Sequence, residues 1–212
     1  NQQGLDYEAL EIFSEMIKAS VFKPDKFALA STLSSCANLE YLKFGKEIHS
    51  HMMRSGFDTT GAVSNSLISM YSKCGDIRRA RKIVDKNGVS NLNVIAFTAL
   101  INGYSKLGDI NPAREIFDSL KNRVVIAWTA MIVGYEQKCL NYNAIEWFKV
   151  MVKEGSRPNN YTFAAILSVI SSTASLYCGK QMHAMSMKFG ESSSVSVSNG
   201  LITMYAKSGS IN

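Results

Sequence analysis

The side chains best suited to ligand recognition in this sequence are short hydrogen-bonding residues that recur at one position of a repeated segment. They stand at one place in four segments that align without gaps: SNSLISMYSKCGDI (64–77), FTALINGYSKLGDI (97–110), WTAMIVGYEQKCLN (128–141) and SNGLITMYAKSGSI (198–211). The residues are Asn65, Thr98, Thr129 and Asn199. Asn and Thr can donate and accept hydrogen bonds, so the series could contact a polar ligand. The same residue types also cap helices, and both interpretations stay open here.

Groups for covalent or metal chemistry do not form a pattern. The sequence shows no nucleophile paired with a base, no carboxylate pair and no phosphate-binding loop. The zinc-deaminase pattern, an H-x-E followed by a C-x-x-C, is also absent. His49 and His183 occupy a position that holds Phe or Val elsewhere, which favours packing or a local hydrogen bond over metal binding. The sequence therefore predicts a binding protein that is not an enzyme and needs no cofactor.

Composition sets broad limits on this chain of 212 residues, of which 46% are hydrophobic. It predicts a folded protein, and no apolar run reaches the roughly 18 residues that span a bilayer. The net charge of +6 weakly favours a polyanionic partner. The chain opens without a Met, signal peptide or transit segment, so we expect its targeting information to lie elsewhere. The four cysteines are widely spaced, which fits a reducing compartment. Each is predicted to be a small apolar core residue: Cys36, Cys74, Cys139 and Cys178.

A repeat of 31 to 35 residues organises the whole chain. Equivalent positions follow at steps of 35, 33, 31, 35 and 35, at Ala30, Asn65, Thr98, Thr129, Ala164 and Asn199. Segments 27–56 and 161–190 also match each other at an offset of 134. Single units and groups of units are therefore both repeated.

Each unit contains two apolar stripes with helical spacing. Phe97, Leu100, Ile101 and Tyr104 exemplify the first stripe; Ala113, Ile116, Phe117 and Leu120 exemplify the second. The second stripe always begins with a small residue that permits close helix packing: Ala9, Gly45, Ala80, Ala113, Ala144 or Gly179. Gly75, Gly108 and Gly209 are expected to cap the first helices, and Pro112 suits a first helical turn. One helical hairpin cannot bury both stripes, so the sequence predicts an all-α superhelix of stacked helix-turn-helix repeats.

The residue pattern resembles plant pentatricopeptide-repeat proteins of the mixed-length subclass. V-x-x-W-T-A-M-I-x-G-Y (125–135) followed by AIEWFKVMVKEGSRPN (144–159) is similar to a standard unit. FGKEIH and CGKQMH resemble long units, and MYSKCGD and MYAKSGS resemble short units. The resemblance covers essentially the whole chain. The predicted units are 1–25 (partial), 26–60 (long), 61–93 (short), 94–124 (short), 125–159 (standard), 160–194 (long) and 195–212 (partial short).

The resemblance implies that each unit reads one RNA base through its fifth and last residues. The implied pairs are Asn65 with Asn93, Thr98 with Val124, and Thr129 with Asn159, while the partner of Asn199 lies beyond the chain. Second residues would sandwich the bases, at Ala62, Ile95, Ile126 and Ser196. Lys73, Lys106 and Lys207 would neutralise phosphates.

The family's pairing rule implies a base for each pair. Thr129 with Asn159 suggests adenine, Asn65 with Asn93 suggests a pyrimidine with cytosine favoured, and Thr98 favours a purine. Val124 lacks the polar group for a second contact. The long units place Ala30 and Ala164 at the reading position, where a methyl group cannot read a base edge, so these units would be spacers or protein contacts.

Function is expected to be selective binding of single-stranded organellar RNA, for processing or cytidine-to-uridine editing, in a mitochondrion or chloroplast. The alternative is a protein-interaction scaffold of the tetratricopeptide type, whose period of about 34 residues is similar. Long units could also bind editing-factor proteins. No membrane or small-molecule partner is expected.

Overall fold

The computed structural model describes residues 2–19, 24–57, 59–120 and 123–209. Within these ranges the regular secondary structure is entirely helical. The chain divides into two compact units, Asn1–Leu107 and Gly108–Asn212.

The unit Asn1–Leu107 contains six α-helices in its described part. They are α1 Gln2–Ala19, α2 Lys26–Asn38, α3 Leu42–Arg54, α4 Gly61–Lys73, α5 Ile77–Asn87 and α6 Val94–Leu107. A short 3-10 turn at Val89–Asn91 precedes α6. Helices α2, α4 and α6 pack side by side as one layer. A second layer lies against them, with α1 on α2, α3 on α2 and α4, and α5 on α4 and α6.

The unit Gly108–Asn212 has the same arrangement in its described part. Its helices are α7 Asn111–Asp118, α8 Val125–Gln137, α9 Asn141–Lys153, α10 Asn160–Thr173, α11 Leu176–Phe189 and α12 Val195–Lys207. Helices α8, α10 and α12 form the first layer. The second layer places α7 on α8, α9 between α8 and α10, and α11 between α10 and α12. The predicted stripes therefore lie on helices, except that Leu120 of the second stripe falls two residues after the end of α7.

Local sequence signals explain where these helices begin and end. Asp25, Asn159 and Ser194 accept hydrogen bonds from backbone N–H groups three residues further on, at the starts of α2, α10 and α12. Gly75, Gly108 and Gly209 adopt φ angles of +81°, +91° and +68° after the first helices, as predicted.

Cys139 takes the place of the glycine that follows α8. Its φ of +56° is left-handed, a conformation that costs an L-residue with a side chain more than it costs glycine. The prediction that every cysteine is an apolar core residue is wrong for Cys139, which is exposed, whereas Cys36 is buried. The turn position decides this difference, because a residue between two helix ends projects into solvent.

The predicted small residues permit the close packing of the two layers. Ala80, Ala113 and Ala144 are completely buried. A Cβ atom at Gly45 would lie 2.5 Å from Met70 Sδ, and one at Gly179 would overlap Met204 in the same way. The equivalence at an offset of 134 therefore extends to the packing contacts.

Two histidines make local hydrogen bonds, as predicted. His49 Nδ1 lies 2.8 Å from Tyr71 Oη, and the equivalent His183 Nδ1 lies 2.9 Å from Tyr205 Oη. Tyr71 is buried in the core together with Tyr104 and Tyr135. These tyrosines therefore stabilise the hairpin packing.

Acidification should destabilise the protein through His49. Burial, and then the positive charges of Arg79 and Lys86, hold the pKa of His49 below its ordinary value of 6.5. The unfolded chain therefore binds more protons than the folded chain as the pH falls through 6.5, and the free energy of unfolding decreases down to the folded pKa. A His49→Gln variant keeps a partner for Tyr71 but cannot titrate. Denaturant titrations between about pH 7 and pH 5 should show a smaller loss of stability in this variant; equal losses would contradict the assignment.

Candidate nucleic-acid interface

The predicted contact residues lie on the first-layer helices or on the residues that precede them. Those with exposed side chains are Ala62, Lys73, Asn93, Ile95, Lys106, Val124, Ile126, Asn199 and Lys207. Thr98, Thr129, Asn159 and Ser196 are half-buried, and Asn65 is buried. The first layer is therefore the surface to consider for ligand binding.

A groove in the unit Asn1–Leu107 brings four of these residues together. Its volume is about 200 Å³, and its lining includes Asn65, Lys73, Asn93 and Ile95. These residues were assigned separately to base reading, base sandwiching and phosphate contact. Ser34, Ser66, Ser69, Ala37 and Asn38 complete the lining, so most of the lining residues are polar.

Asn65 is only 7% exposed, because its amide holds the backbone that leads into α6. Its Nδ2 donates to the carbonyl oxygens of Gly61 at 3.0 Å and Asn91 at 3.1 Å. Its Oδ1 accepts from Asn93 N at 2.8 Å. Both amide protons are therefore in use, and the group that Asn65 can still offer is a lone pair of Oδ1.

Asn93 supplies the complementary group beside it. Its Oδ1 accepts from Ala96 N at 2.8 Å, which is the hydrogen bond of a helix cap. No described residue accepts a hydrogen bond from its Nδ2. The capping interpretation and the base-contact interpretation are thus compatible, because they use different atoms of one amide.

A chain of hydrogen bonds links Thr129 to Asn159 in the unit Gly108–Asn212. Thr129 Oγ1 lies 2.9 Å from Val125 O and 2.7 Å from Thr162 Oγ1. Thr162 Oγ1 and Thr162 N lie 2.9 Å and 3.0 Å from Asn159 Oδ1. The fixed hydrogen bonds of Oδ1 set the orientation of the Asn159 amide and leave Nδ2 as the donor of this side chain. Within the described ranges, Nδ2 has no acceptor.

Thr162 was missed by the sequence analysis, although the pattern Asn159-x-x-Thr162 is a capping-box signal. It is completely buried and completes the reciprocal cap with Asn159. Its contact with Thr129 joins positions 33 residues apart, and that contact has no signal in the local sequence.

Exposed apolar side chains flank the reading positions. Ile95 is 67% exposed and Ile126 is 51% exposed, so both are free to pack against a ligand. The equivalent second residues of the two long units are aromatic, with Phe27 at 84% and Tyr161 at 69% exposure. Phe27 and Tyr161 were not among the predicted contacts, although their place at the second position of the predicted long units was a usable signal.

Thr98 and Val124, which the resemblance pairs, belong to different compact units. Thr98 Oγ1 donates to Val94 O at 2.8 Å. Val124 precedes α8, forms no side-chain cap, and is exposed.

The three lysines predicted to contact phosphates lie near the ends of first-layer helices. Lys73 Nζ donates to Asn38 Oδ1 at 3.2 Å. Lys106 and Lys207 occupy the last turns of α6 and α12.

Comparison with known proteins identifies the repeat. The family model described as "PPR repeat" matches residues 63–86, 95–124 and 126–156. A pentatricopeptide repeat-containing protein of Arabidopsis thaliana is 58% identical over 211 residues, which are 100% of this chain and 27% of the relative. The chain belongs to the pentatricopeptide-repeat family.

Two further relatives from Arabidopsis thaliana carry organellar names. A mitochondrial pentatricopeptide repeat-containing protein is 33% identical over 98% of this chain and 33% of its own length. A chloroplastic one is 33% identical over 98% of this chain and 21% of its own length. This pentatricopeptide-repeat chain therefore spans about a fifth to a third of the length of these relatives.

A solved structure supports the fold. The pentatricopeptide repeat protein PPR10, in complex with an 18-nt psaJ RNA element, matches 80% of this chain and 26% of its own chain. The TM-score is 0.67 at 22% sequence identity. The predicted α-α solenoid of helix-turn-helix repeats is confirmed. In family and fold, this chain is an array of pentatricopeptide repeats.

Proposed function

We propose that this chain binds single-stranded RNA, one base per repeat, and selects adenine or cytosine at two of its repeats. The observation that carries the proposal is the orientation of two capping asparagines. The Oδ1 atoms of Asn93 and Asn159 accept backbone N–H groups at 2.8 and 3.0 Å. Each side chain therefore offers a ligand its Nδ2 donor.

A fixed donor distinguishes the Watson–Crick edges of the bases. The ring nitrogen of that edge is an acceptor in adenine and cytosine, whereas in guanine and uracil it carries a proton. Nδ2 of Asn159 can therefore donate to adenine or cytosine but meets another donor in guanine or uracil. An unmatched pair of donors leaves polar groups without partners, which costs about 1 to 3 kcal/mol when water is excluded.

The neighbouring residue of each pair suits the exocyclic amine of the same bases. Asn65 offers a lone pair of Oδ1, because both of its amide protons are bonded to carbonyl oxygens. Thr129 can place its proton on Val125 O or Thr162 Oγ1, and then also offers a lone pair. Adenine beside Thr129 and cytosine beside Asn65 fit both the resemblance and this hydrogen-bonding pattern.

The apolar residues complete each site in this proposal. A base beside Thr129 packs between Ile126 and the aromatic ring of Tyr161, since stacking on aromatic side chains is a common feature of single-strand binding. The reading units keep the predicted boundaries, and Thr98, Val124, Asn199, Ala62 and Ser196 keep their predicted roles. The long units would then hold bases by stacking on Phe27 and Tyr161 without reading an edge.

The comparisons support RNA as the ligand and an organelle as the location. PPR10 has been crystallised with an RNA element, and relatives carry mitochondrial and chloroplastic names. Within the full-length protein, this array would select a transcript for processing or editing. The alternative ligand is a protein, such as an editing factor bound by the long units. Its affinity should depend weakly on salt, whereas RNA binding should weaken steeply.

Replacing Lys73, Lys106 and Lys207 together by glutamine tests RNA binding directly. Each lysine is expected to neutralise one phosphate, so the affinity for all RNA sequences should fall similarly. The slope of log K against log salt should decrease by about 0.7 per lost contact, or about 2 in total. Fluorescence anisotropy over a series of salt concentrations measures this. An unchanged slope would show that these lysines are only solvated charges, and salt-insensitive or absent binding of the parent chain would reject the RNA proposal.

A further inference from the structure

Helix α5 concentrates the positive charge of this chain. Its 11 residues include five cations and one carboxylate, a net of four positive charges, while the whole chain carries a net charge of +6. The other second-layer helices, α1, α3, α7, α9 and α11, carry at most two net positive charges each. This concentration is not required by packing, because α5 is buried through Ile77, Ala80, Ile83 and Val84.

Three of the five cations share one exposed face. Arg78, Lys82 and Lys86 follow each other at four-residue intervals, so they line one side of the helix at steps of about 6 Å. In the described part of the chain, none of these three forms an ion pair. The other two cations are already engaged, Arg79 with Asp76 and Arg81 with Asp85.

The field of this helix reaches the interior of the unit. The charges of Arg79 and Lys86, after burial, contribute to the lowered pKa of His49 on α3. Asp76 and Asp85 are paired with Arg79 and Arg81. They therefore do not neutralise the charges of Arg78, Lys82 and Lys86 directly. A row of cations along one helix face creates a positive potential that attracts a polyanion.

We propose that the face formed by Arg78, Lys82 and Lys86 is a second RNA-binding surface, which contacts the sugar-phosphate backbone of nucleotides that flank the read bases. It lies on a second-layer helix, whereas the groove containing Asn65 and Asn93 belongs to the first-layer side. The surface has no apolar or amide groups for reading base edges along this row, so its binding is independent of sequence. The first layer selects the bases, and this surface increases the affinity for RNAs that extend beyond the bases read.

The test compares three RNA probes in salt titrations of the 212-residue chain. One is a short RNA with one base per complete repeat, the second is the same RNA extended by uridines at both ends, and the third is oligouridine alone. The parent chain should show a steeper salt slope with the extended RNA than with the short RNA. The R78Q/K82Q/K86Q variant should lose that difference, a decrease of about 2 in slope at about 0.7 per phosphate, and should bind the short RNA as before.

A matched variant with Lys43, Lys153 and Lys188 replaced by glutamine removes the same charge from exposed positions of other second-layer helices. It should keep the steeper slope. The proposal is overturned if the R78Q/K82Q/K86Q variant keeps the difference, or if both triple variants lose it equally, because net charge alone would then explain the result. Failure of the parent chain to bind the short RNA rejects base reading instead. In that case the slope with oligouridine still decides whether α5 binds an RNA backbone.

Discussion

An Asn159→Asp variant should lose its preference for adenine at the base read beside Thr129 and should favour guanine there. The substitution replaces the Nδ2 donor by a second carboxylate oxygen, which meets the ring-nitrogen acceptor of adenine but can accept the ring N–H of guanine. The Thr129 hydroxyl can rotate to donate to the guanine carbonyl, with Thr162 donating to Thr129 in turn. We expect a change in discrimination of about 1 to 3 kcal/mol at this single position. Competition binding with RNAs that differ only at that base measures it.

The variant should fold normally, because Asp caps helices as well as Asn does and its other oxygen can still accept Thr162 N. Asn93→Asp makes the same exchange in the unit Asn1–Leu107 and should alter the preference only at the base beside Asn65. Unchanged adenine preference in the Asn159→Asp variant, with an unchanged thermal unfolding midpoint, would show that Asn159 is only a helix cap.

A Trp128→Ala variant should lose about 3 to 5 kcal/mol of unfolding free energy. Trp128 is 1% exposed and lies in the largest aromatic cluster of the described structure. Its ring centroid is 4.6 Å from that of Phe117 and 5.4 Å from that of Trp147. The Arg123 guanidinium covers this cluster from outside, 5.9 Å from the Trp128 ring. Truncation would leave a cavity that the neighbouring helices can fill only in part.

Trp128→Phe is the matched control. Phenylalanine keeps the edge contact with Phe117 and removes an indole N–H that is buried without a partner among the described residues. The loss should therefore be smaller, roughly 1 to 2 kcal/mol. Urea titrations followed by circular dichroism give both values, and equal losses would argue against a well-packed site at Trp128. Thr129 follows Trp128 directly, so the alanine variant should also weaken selection of the base beside Thr129.

The fold could be predicted because its determinants are local and repeated. A helical stripe such as Phe97, Leu100, Ile101 and Tyr104 needs only spacing along one segment. The small residue that begins each second stripe, exemplified by Gly45, was equally visible, and its place in every unit indicated close packing. Repetition strengthened these signals, since each unit provides an independent example of one hairpin.

The candidate site was predicted as a set of positions but not as a set of hydrogen-bonding groups. The series Asn65, Thr98, Thr129 and Asn199 follows from the alignment of units. Which atom of each amide faces a ligand depends on partners distant in sequence, as with Asn91 O, 26 residues from Asn65. The cap by Asn159 is local, but the link from Thr129 through Thr162 requires two first-layer helices to be packed together.

The sequence by itself determined the period, the two helices of each unit, the capping glycines and the register of the candidate RNA contacts. Packing decided that Cys139 is exposed in a turn and that Asn65 is buried against the backbone of the next repeat. The physical reason is that helix periodicity and short-range ion pairs, such as Arg81 with Asp85, are encoded within one or two turns of chain, whereas burial and hydrogen bonds between repeats are set by which surfaces the stacked helices bring within reach.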